Sequence, residues 1–273
     1  MGSASQQEFD SASGTQTDKD WTIESVSFDA KPRERQKGDR PIVVAIDPGH
    51  GGLDPGAVVQ GYKEKELVLV FARELREALA KTGQYQAFLT RDSDVFTSLT
   101  GRISHARQGQ ADVLISLHAD ALEEGSASGI TVYTLSNKAS DEAAEQLASQ
   151  LDRADLLAGV DLSEQDEVVT SVLMDLARLE TNARSNDLAG QIVSGIAQAT
   201  QRSRSRPQLS AAFTVLKAPD IPSVLIELGF LTNKRDLRNL LNPEWRRNVQ
   251  KGILQGLGVW GINDAAQARL LRK

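Results

Sequence analysis

Short runs of β-branched and other apolar residues alternate along the chain with stretches in which apolar residues recur every three or four positions. The alternation begins at Pro41 and is typical of an α/β domain, in which helices pack on a sheet. The apolar runs predict six strands: Ile42–Ile46, Gln86–Thr90, Val113–Leu117, Ile130–Leu135, Phe213–Leu216 and Ser223–Leu228.

The helical periodicity predicts four helices, at Lys63–Lys81, Leu99–Gln108, Asn182–Arg202 and Pro243–Trp260. Residues 139–180, called the acidic insertion below, also have helical periodicity, in two pieces separated near Gly159. Predicted strands stop at Leu135 and resume only at Phe213, so this segment interrupts the alternating pattern. Its second piece has an apolar face, which requires an apolar surface to pack on.

The two ends of the chain differ from its centre. Residues 1–40 are polar and lack periodicity, which predicts a tail or linker, and residues 263–273 are expected to form a C-terminal tail. The domain itself is expected to span residues 41–262. The opening residues MGSASQQ lack the pattern of an export signal, and no apolar run approaches the roughly 20 residues of a membrane span.

Charge is distributed unevenly over the 273 residues, whose formal net charge is −6. Between Asp141 and Glu180 there are 11 acidic and two basic residues, a charge of −9, which leaves about +3 for the remainder. The acidic total argues against nucleic acid as the main partner. The absence of cysteine excludes disulfides, thiolate zinc sites and a thiol nucleophile.

Three residues that can carry chemistry follow or end predicted strands. His50 lies in a glycine-rich turn after the first strand, His118 follows VLISL, and Glu227 ends the apolar run VLIE. In open α/β sheets, ligands bind beyond the carboxyl ends of the strands, so these residues can share one site. Two histidines and a carboxylate are the ligands of a catalytic zinc, and Glu64 is the best additional carboxylate.

Each residue also has a structural interpretation. The turn around His50 can cradle a phosphate with its backbone amides, and His118 can be a structural histidine. Glu64 can serve only to favour the helix dipole. Glu227 is harder to dismiss, since an unpaired carboxylate in an apolar strand is costly. The third histidine, His105, is expected to be a solvated helix residue.

Five linked segments closely resemble one enzyme family over about residues 41–261. The family is that of the zinc-dependent N-acetylmuramoyl-L-alanine amidases of the cell-division type, known as AmiA, AmiB and AmiC. The segments occur in the family's order: VVAIDPGHGGLDPGA, GYKEKELVL, FLTRDSD, Arg102 with ADVLISLHADA, and PSVLIELGFLTN.

The resemblance implies a single α/β domain with a mostly parallel six-stranded sheet flanked by helices. It assigns His50, Glu64 and His118 as ligands of one Zn²⁺ and Glu227 as the catalytic glutamate. Glu66 competes with Glu64, but the family's acid directly precedes a lysine, as Glu64 does. The implied substrate is peptidoglycan, cut between N-acetylmuramic acid and L-alanine of the stem peptide, in the periplasm and by a monomer.

The resemblance further implies that the acidic insertion covers the zinc site until an activator protein displaces it. An acidic side chain would then occupy the open zinc position. The candidates for this regulatory acid are Glu142, Glu145, Asp152, Asp155 and Glu167. Where the family has a glutamate before the DRAD stretch, this chain has Leu151, so the blocking residue stays open. The alternative is a solvated pair of helices without a regulatory role.

Three other functions are weighed against an amidase. Another zinc amide hydrolase, such as an aminopeptidase, often needs a second metal and extra acidic ligands that these motifs lack. A non-catalytic peptidoglycan-binding module is favoured only if Glu227 or one of the two histidines is missing, and all are present. A phosphate-binding loop protein is disfavoured because DPGHGG lacks the lysine and hydroxyl residue of a P-loop.

Overall fold

Most of the described chain is organised around one central sheet. The computed structural model describes residues 34–122, 128–157, 168–201 and 205–270, of which 154–157 and 168–177 are described by backbone only. These residues contain eight strands. The strands are β1 (Ile42–Pro48), β2 (Val58–Val59), β3 (Tyr62–Lys63), β4 (Tyr85–Leu89), β5 (Val113–His118), β6 (Thr131–Leu135), β7 (Gln208–Ala211) and β8 (Ser223–Glu227). Strands β2 and β3 form a separate two-stranded hairpin. The other six build the main sheet, which agrees with the predicted six-stranded α/β domain.

The main sheet has the order β4-β1-β5-β8-β6-β7. The first four strands are parallel, whereas β6 runs antiparallel to β8 and β7 runs parallel to β6. The carboxyl ends of the adjacent parallel strands β1, β5 and β8 therefore lie side by side. The side of the sheet formed by these strand ends is called the upper edge. Because Thr131 pairs with Glu227, β6 starts at the upper edge and ends at the opposite, lower edge.

Six helices are described: α1 (Glu64–Ala80), α2 (Leu99–Gln108), α3 (Glu142–Leu157), α4 (Val168–Thr200), α5 (Lys234–Leu241) and α6 (Pro243–Leu270). Helices α1, α4 and α6 cover one face of the sheet, where Phe71, Leu188 and Trp260 are fully buried. Helices α2 and α3 cover the other face. Strands buried on both faces read as continuous apolar runs, which is why β1, β5 and β8 were predictable.

Helices α4 and α6 approach so closely that side chains are excluded from their contact. A Cβ atom on Gly195 would lie 2.2 Å from the carbonyl oxygen of Gly252. This contact holds α4 and α6 together on their face of the sheet.

One predicted strand is wrong. Phe213–Leu216 contains a 3₁₀ turn at Thr214–Leu216, and the edge strand is Gln208–Ala211 instead. The apolar side chains of Phe213, Val215 and Leu216 are buried against α2 and α3, so their hydrophobicity reflects packing and not strand pairing. Helix α5 was not predicted. It is one short amphipathic segment, capped by the side chain of Asn233, which accepts from the amides of Arg235 and Asp236.

From Glu142 onward the described residues of the acidic insertion are helical, as predicted. A separate helix was predicted at Asn182–Arg202, but its start is wrong. These residues belong to the second part of the 33-residue helix α4, which begins at Val168. The predicted break near Gly159 lies outside the described residues. Helix α3 packs into the domain: Ala144, Leu147 and Leu151 are buried in the core of the second face.

Both predicted tails require correction. Helix α6 continues to Leu270, and Asp264 and Ala268 on it are buried, so residues 263–270 are not a tail. At the other end Gln36 is 1% exposed and donates to the carbonyl oxygen of Gly261 and to Asp264, which ties this part of the predicted linker to α6. Within the described ranges, no helix is both long and apolar enough to cross a membrane.

Candidate metal centre and active site

The two histidines and the glutamate predicted from the sequence meet at the upper edge. His50 follows β1, Glu64 is the first residue of α1, and His118 ends β5. One potential ligand atom from each lies within 4.8 Å of the others. Glu64 joins the pair, since its Oε2 lies 3.1 Å from His50 Nε2 and its Oε1 lies 3.1 Å from His118 Nδ1.

The loop after β1 has a backbone shape that aims the His50 ring at Glu64. His50 has a φ of 59°, in the left-handed region that L-residues rarely adopt. Two buried arginines hold the loop by its carbonyl oxygens. Arg91 donates to the carbonyls of Pro48 and Gly49, and Arg102 donates to those of Pro48 and His50.

Two glycines make room for the cluster. A Cβ on Gly49 would lie 2.2 Å from Cε1 of His118, so the imidazole packs directly on the backbone there. A Cβ on Gly56 would lie 2.7 Å from both Glu64 Oε2 and the His50 ring. Gly49 and Gly56 are therefore required by their packing against the cluster.

Glu64 is fully buried, and its carboxylate is held by the backbone as well as by the histidines. Oε1 accepts from the amide of Ala119 at 2.8 Å, and Oε2 accepts from the amide of Ala57 at 3.0 Å. Burial raises the pKa of Glu64, but the facing His50 and His118 hold it well below its usual range. The site thus keeps an ionised carboxylate between two imidazoles.

The donor set fits a zinc ion. His50 Nε2 is buried, has no hydrogen-bond partner within the described ranges and lies 3.1 Å from Glu64 Oε2, so in the neutral imidazole its lone pair can be shared with a cation bound beside that carboxylate. Two imidazoles and one carboxylate form a common catalytic zinc set, which leaves a position open for water or substrate. Among the described residues, this is the one group of three or more such side chains close enough to hold a metal.

Glu227 lies next to this cluster at the end of β8 and is fully buried. Its Oε1 accepts from the amide of Asp120 at 2.7 Å, whereas Oε2 is buried and has no hydrogen-bond partner in the part of the chain that the structure describes. Burial, reinforced by the charges of Glu64 and Asp120, raises the pKa of Glu227 well above its usual value. A carboxylate with a raised pKa is a stronger proton acceptor than an ordinary one, as a general base requires.

Comparison with known proteins identifies the family. A family model described as N-acetylmuramoyl-L-alanine amidase matches residues 44–258. The chain belongs to this amidase family.

Curated relatives and solved structures extend the match. AmiA of Escherichia coli K12 is 36% identical over 241 residues, which cover 88% of this chain and 82% of AmiA. AmiC of Escherichia coli O6:H1 is 37% identical over 85% of this chain, and the matched part spans only 55% of AmiC. An amidase structure from Clostridium difficile 630 superposes with a TM-score of 0.59 at 27% identity, covering 81% of this chain and 97% of that one.

Sequence reasoning missed two acidic residues of the amidase site. Asp54 Oδ2 lies 2.6 Å from His50 Nδ1, and the backbone amide of Asp120, two residues after His118, donates to Glu227 Oε1. Burial raises the pKa of Asp120 to about 7. Asp54 was passed over because GLDPG is typical of an ordinary turn. The signal that could have found it is its position four residues after His50 in the same loop.

The regulatory acids proposed from the sequence lie apart from the cluster where they are described. Glu142 and Glu145 are exposed on α3. Asp152 accepts hydrogen bonds from the amide and hydroxyl of Thr214, which follows β7 at the lower edge. The side chain of Asp155 and the whole of Glu167 lie outside the described residues.

His105, expected to be solvated, is half-buried with its Nδ1 2.9 Å from the carbonyl oxygen of Thr90.

Proposed function

We propose that this amidase hydrolyses the bond between N-acetylmuramic acid and L-alanine in peptidoglycan, using one zinc ion. His50, Glu64 and His118 would hold the zinc, and Glu227 would be the catalytic carboxylate. The observation that carries the proposal is the buried His50–Glu64–His118 cluster beside Glu227, within the segment that matches the amidase family. A bound zinc would supply a Lewis acid that polarises the amide carbonyl and acidifies water.

Glu227 performs the proton transfers in this proposal. Its Oε2 has no hydrogen-bond partner among the described residues and is free to accept a proton from the attacking water. The same oxygen then delivers that proton to the nitrogen of the departing L-alanine, so the carboxylate is regenerated. The Asp120 amide holds Oε1 and thereby keeps Oε2 directed at the reaction. General acid–base catalysis of this kind contributes about 10²–10⁴-fold in rate.

Two alternative functions stay as outcomes of the test. A non-catalytic peptidoglycan-binding module does not need Glu227 beside the candidate metal ligands. Burying a carboxyl group that is only partly hydrogen-bonded costs free energy, which a binding module has no reason to spend. A different zinc amide hydrolase with two metals requires a second ligand group. The described residues contain a single group of this kind.

The test combines metal analysis with release of stem peptides from purified sacculi. The parent is expected to bind one zinc per chain and to release peptides that begin with free L-alanine. Glu227→Gln is expected to retain zinc and lose at least 100-fold in rate, about the lower bound for an acid–base residue. Parent protein without zinc, or Glu227→Gln with full activity, contradicts the proposal. Zinc with cleavage elsewhere in the stem peptide favours a different hydrolase.

We further propose that the acidic insertion limits access to this site until an activator protein displaces it, during daughter-cell separation in the periplasm. The support is its charge of −9 beside a body of about +3, since an acidic segment is attracted to a cationic metal centre. The described acids of the insertion do not contact the cluster. An inhibitory contact would therefore have to come from acids of the insertion other than the described Glu142, Glu145 and Asp152, because α3 itself is held in the core by its apolar side chains.

Neutralising the candidate acids tests this regulation without removing the core face of α3. The combined variant Glu142→Gln, Glu145→Gln, Asp155→Asn and Glu167→Gln is expected to hydrolyse sacculi at least several-fold faster than the parent. The control is Glu77→Gln with Glu244→Gln, which removes exposed acids from helices outside the insertion. Equal rates in the parent and the four-site variant contradict an acidic lock.

A further inference from the structure

One carboxylate contacts the cluster from outside. Asp54 Oδ2 lies 2.6 Å from Nδ1 of His50, on the side of the ring opposite the nitrogen that faces Glu64. The backbones of Gly51 and Asp54 exchange two hydrogen bonds, of 2.9 and 3.1 Å, which closes a four-residue loop and fixes the position of Asp54. Its second oxygen, Oδ1, accepts from the amide of Gly56 at 3.0 Å.

The two nitrogens of His50 are thereby distinguished. A neutral imidazole carries one N–H, and a carboxylate without its proton can only accept. The contact with Asp54 therefore places the proton on Nδ1 and leaves the lone pair on Nε2. That nitrogen is directed at Glu64 and is buried without a hydrogen-bond partner from any described residue.

His118 is oriented in a different way. Its ring packs on the backbone of Gly49, and its Nδ1 faces Glu64. His50 instead lies in the loop after β1, has a left-handed backbone conformation itself, and is followed by Gly51 and Gly52, whose φ angles are also positive. Within the cluster the His50 ring packs on Gly56 and His118, and from outside the cluster Asp54 contacts Nδ1 and so fixes which nitrogen faces Glu64.

We propose that Asp54 is a positioning residue that holds His50 in the Nδ1–H tautomer and so presents Nε2 to the metal. The proposal rests on the proposed function, because it takes His50 as a zinc ligand. Carboxylates that orient metal-bound histidines in this way typically change metal affinity by about 10–100-fold when removed. Asp54 itself does not touch the metal or the substrate.

Zinc affinity, measured by competition with a chromophoric chelator, is the first readout. Asp54→Ala is expected to bind zinc about 10–100-fold more weakly than the parent. Asp54→Asn keeps one acceptor oxygen, which can serve His50 or Gly56 but not both, so an intermediate loss is expected. The control is Asp94→Asn, which alters the carboxylate bonded to Gly52 N and Lys65 in the same loop region without touching His50. Its affinity is expected to stay within about threefold of the parent.

The tautomer itself is the second readout and would not change if Asp54 only supported the loop. Long-range ¹H–¹⁵N spectra of the zinc-loaded parent are expected to show His50 protonated at Nδ1, with a weakened or rapidly exchanging proton in Asp54→Ala. Thermal melting checks that each variant is folded. Unchanged zinc affinity and an unchanged His50 signal in folded Asp54→Ala overturn the inference. A parent that binds no zinc refutes the proposed function instead, and a loss equal in Asp94→Asn assigns the effect to the loop.

Discussion

His118 and Glu227 are paired residues on the adjacent parallel strands β5 and β8. The amide of Leu228 donates to the carbonyl of His118 at 2.8 Å, and the amide of Asp120 donates to Glu227 at 2.7 Å, so each strand end is tied to the other. The separation between the proposed metal ligand and the proposed proton carrier is therefore set by the sheet and not by a loop.

Gly49→Ala is expected to weaken zinc binding at least tenfold. The new Cβ would lie 2.2 Å from Cε1 and 2.6 Å from Nε2 of His118, so the ring must move. Chelator competition measures the affinity, and thermal melting checks the fold. Gly258→Ala on α6 is the control, because its nearest contact is the Tyr85 hydroxyl at 3.5 Å. Equal affinity in Gly49→Ala and the parent would contradict the proposed packing role of Gly49.

Arg102→Ala is expected to lower the free energy of unfolding by about 3–5 kcal/mol, because it leaves a buried charge unpaired. Asp47 is fully buried and lies 2.8 Å from Arg102 Nη1. The matched surface variant is Arg73→Ala, whose partner Asp92 is solvated and for which a loss below about 1 kcal/mol is expected. Urea denaturation measures both, and similar losses would show that the buried pair has no special weight.

Acid should weaken the contribution of Asp47. Burial raises its pKa, but Arg102 and the hydroxyls of Thr90 and Ser116 together hold it below the ordinary value of 3.8. A carboxyl group whose pKa is lower in the folded than in the unfolded state stabilises the fold. This stabilisation is fully present above the pKa of the unfolded state and is lost as the pH falls through the pKa of the folded state. The unfolding free energies of the parent and Asp47→Asn should differ by a constant amount above about pH 5 and converge below about pH 4. A difference that stays constant down to pH 3 would exclude this linkage.

Leu147→Ala is expected to destabilise the protein by about 2–5 kcal/mol, the usual range for a buried leucine. Leu147 is fully buried on α3, within the core of the second face, although it belongs to the acidic insertion. Exposed Glu145→Ala, on the same helix, is expected to change stability by less than about 0.5 kcal/mol. If Leu147→Ala is as stable as Glu145→Ala in urea, α3 is not part of the folded core in solution.

The sequence was most informative for strands that are buried on both faces and for functional side chains that lie directly at the end of such a strand. β1, β5 and β8 read as apolar runs, and His50, His118 and Glu227 lie at or just beyond their ends. Glu64 was predictable only as a candidate, because its approach to His50 depends on the path of a loop. The contacts of the Gly-rich turn with Arg91 and Arg102 bring together residues about 40 to 55 positions apart, which no local pattern records.

The errors arose where hydrophobicity has more than one cause. Phe213, Val215 and Leu216 are buried in a turn, and their pattern is indistinguishable from that of a short strand. Residues 263–270 looked polar overall, but one narrow face with Ala265 and Ala268 suffices to extend α6. Asp54 was missed because turn-forming aspartates are common and its role depends on the ring it contacts.

The reversed direction of β6 determines where the acidic insertion is anchored. β6 delivers the chain to the lower edge, and Thr181 donates to the carbonyl of Pro219, just before β8 starts at that same edge. Both ends of the insertion are thus attached on the side away from His50 and His118. At about 3.3 Å per residue, the five-residue β6 spans roughly 17 Å, a height that about 11 helical residues cover. Under the proposed regulation, an acidic side chain of the insertion would therefore have to cross about the height of the sheet to reach the candidate metal centre.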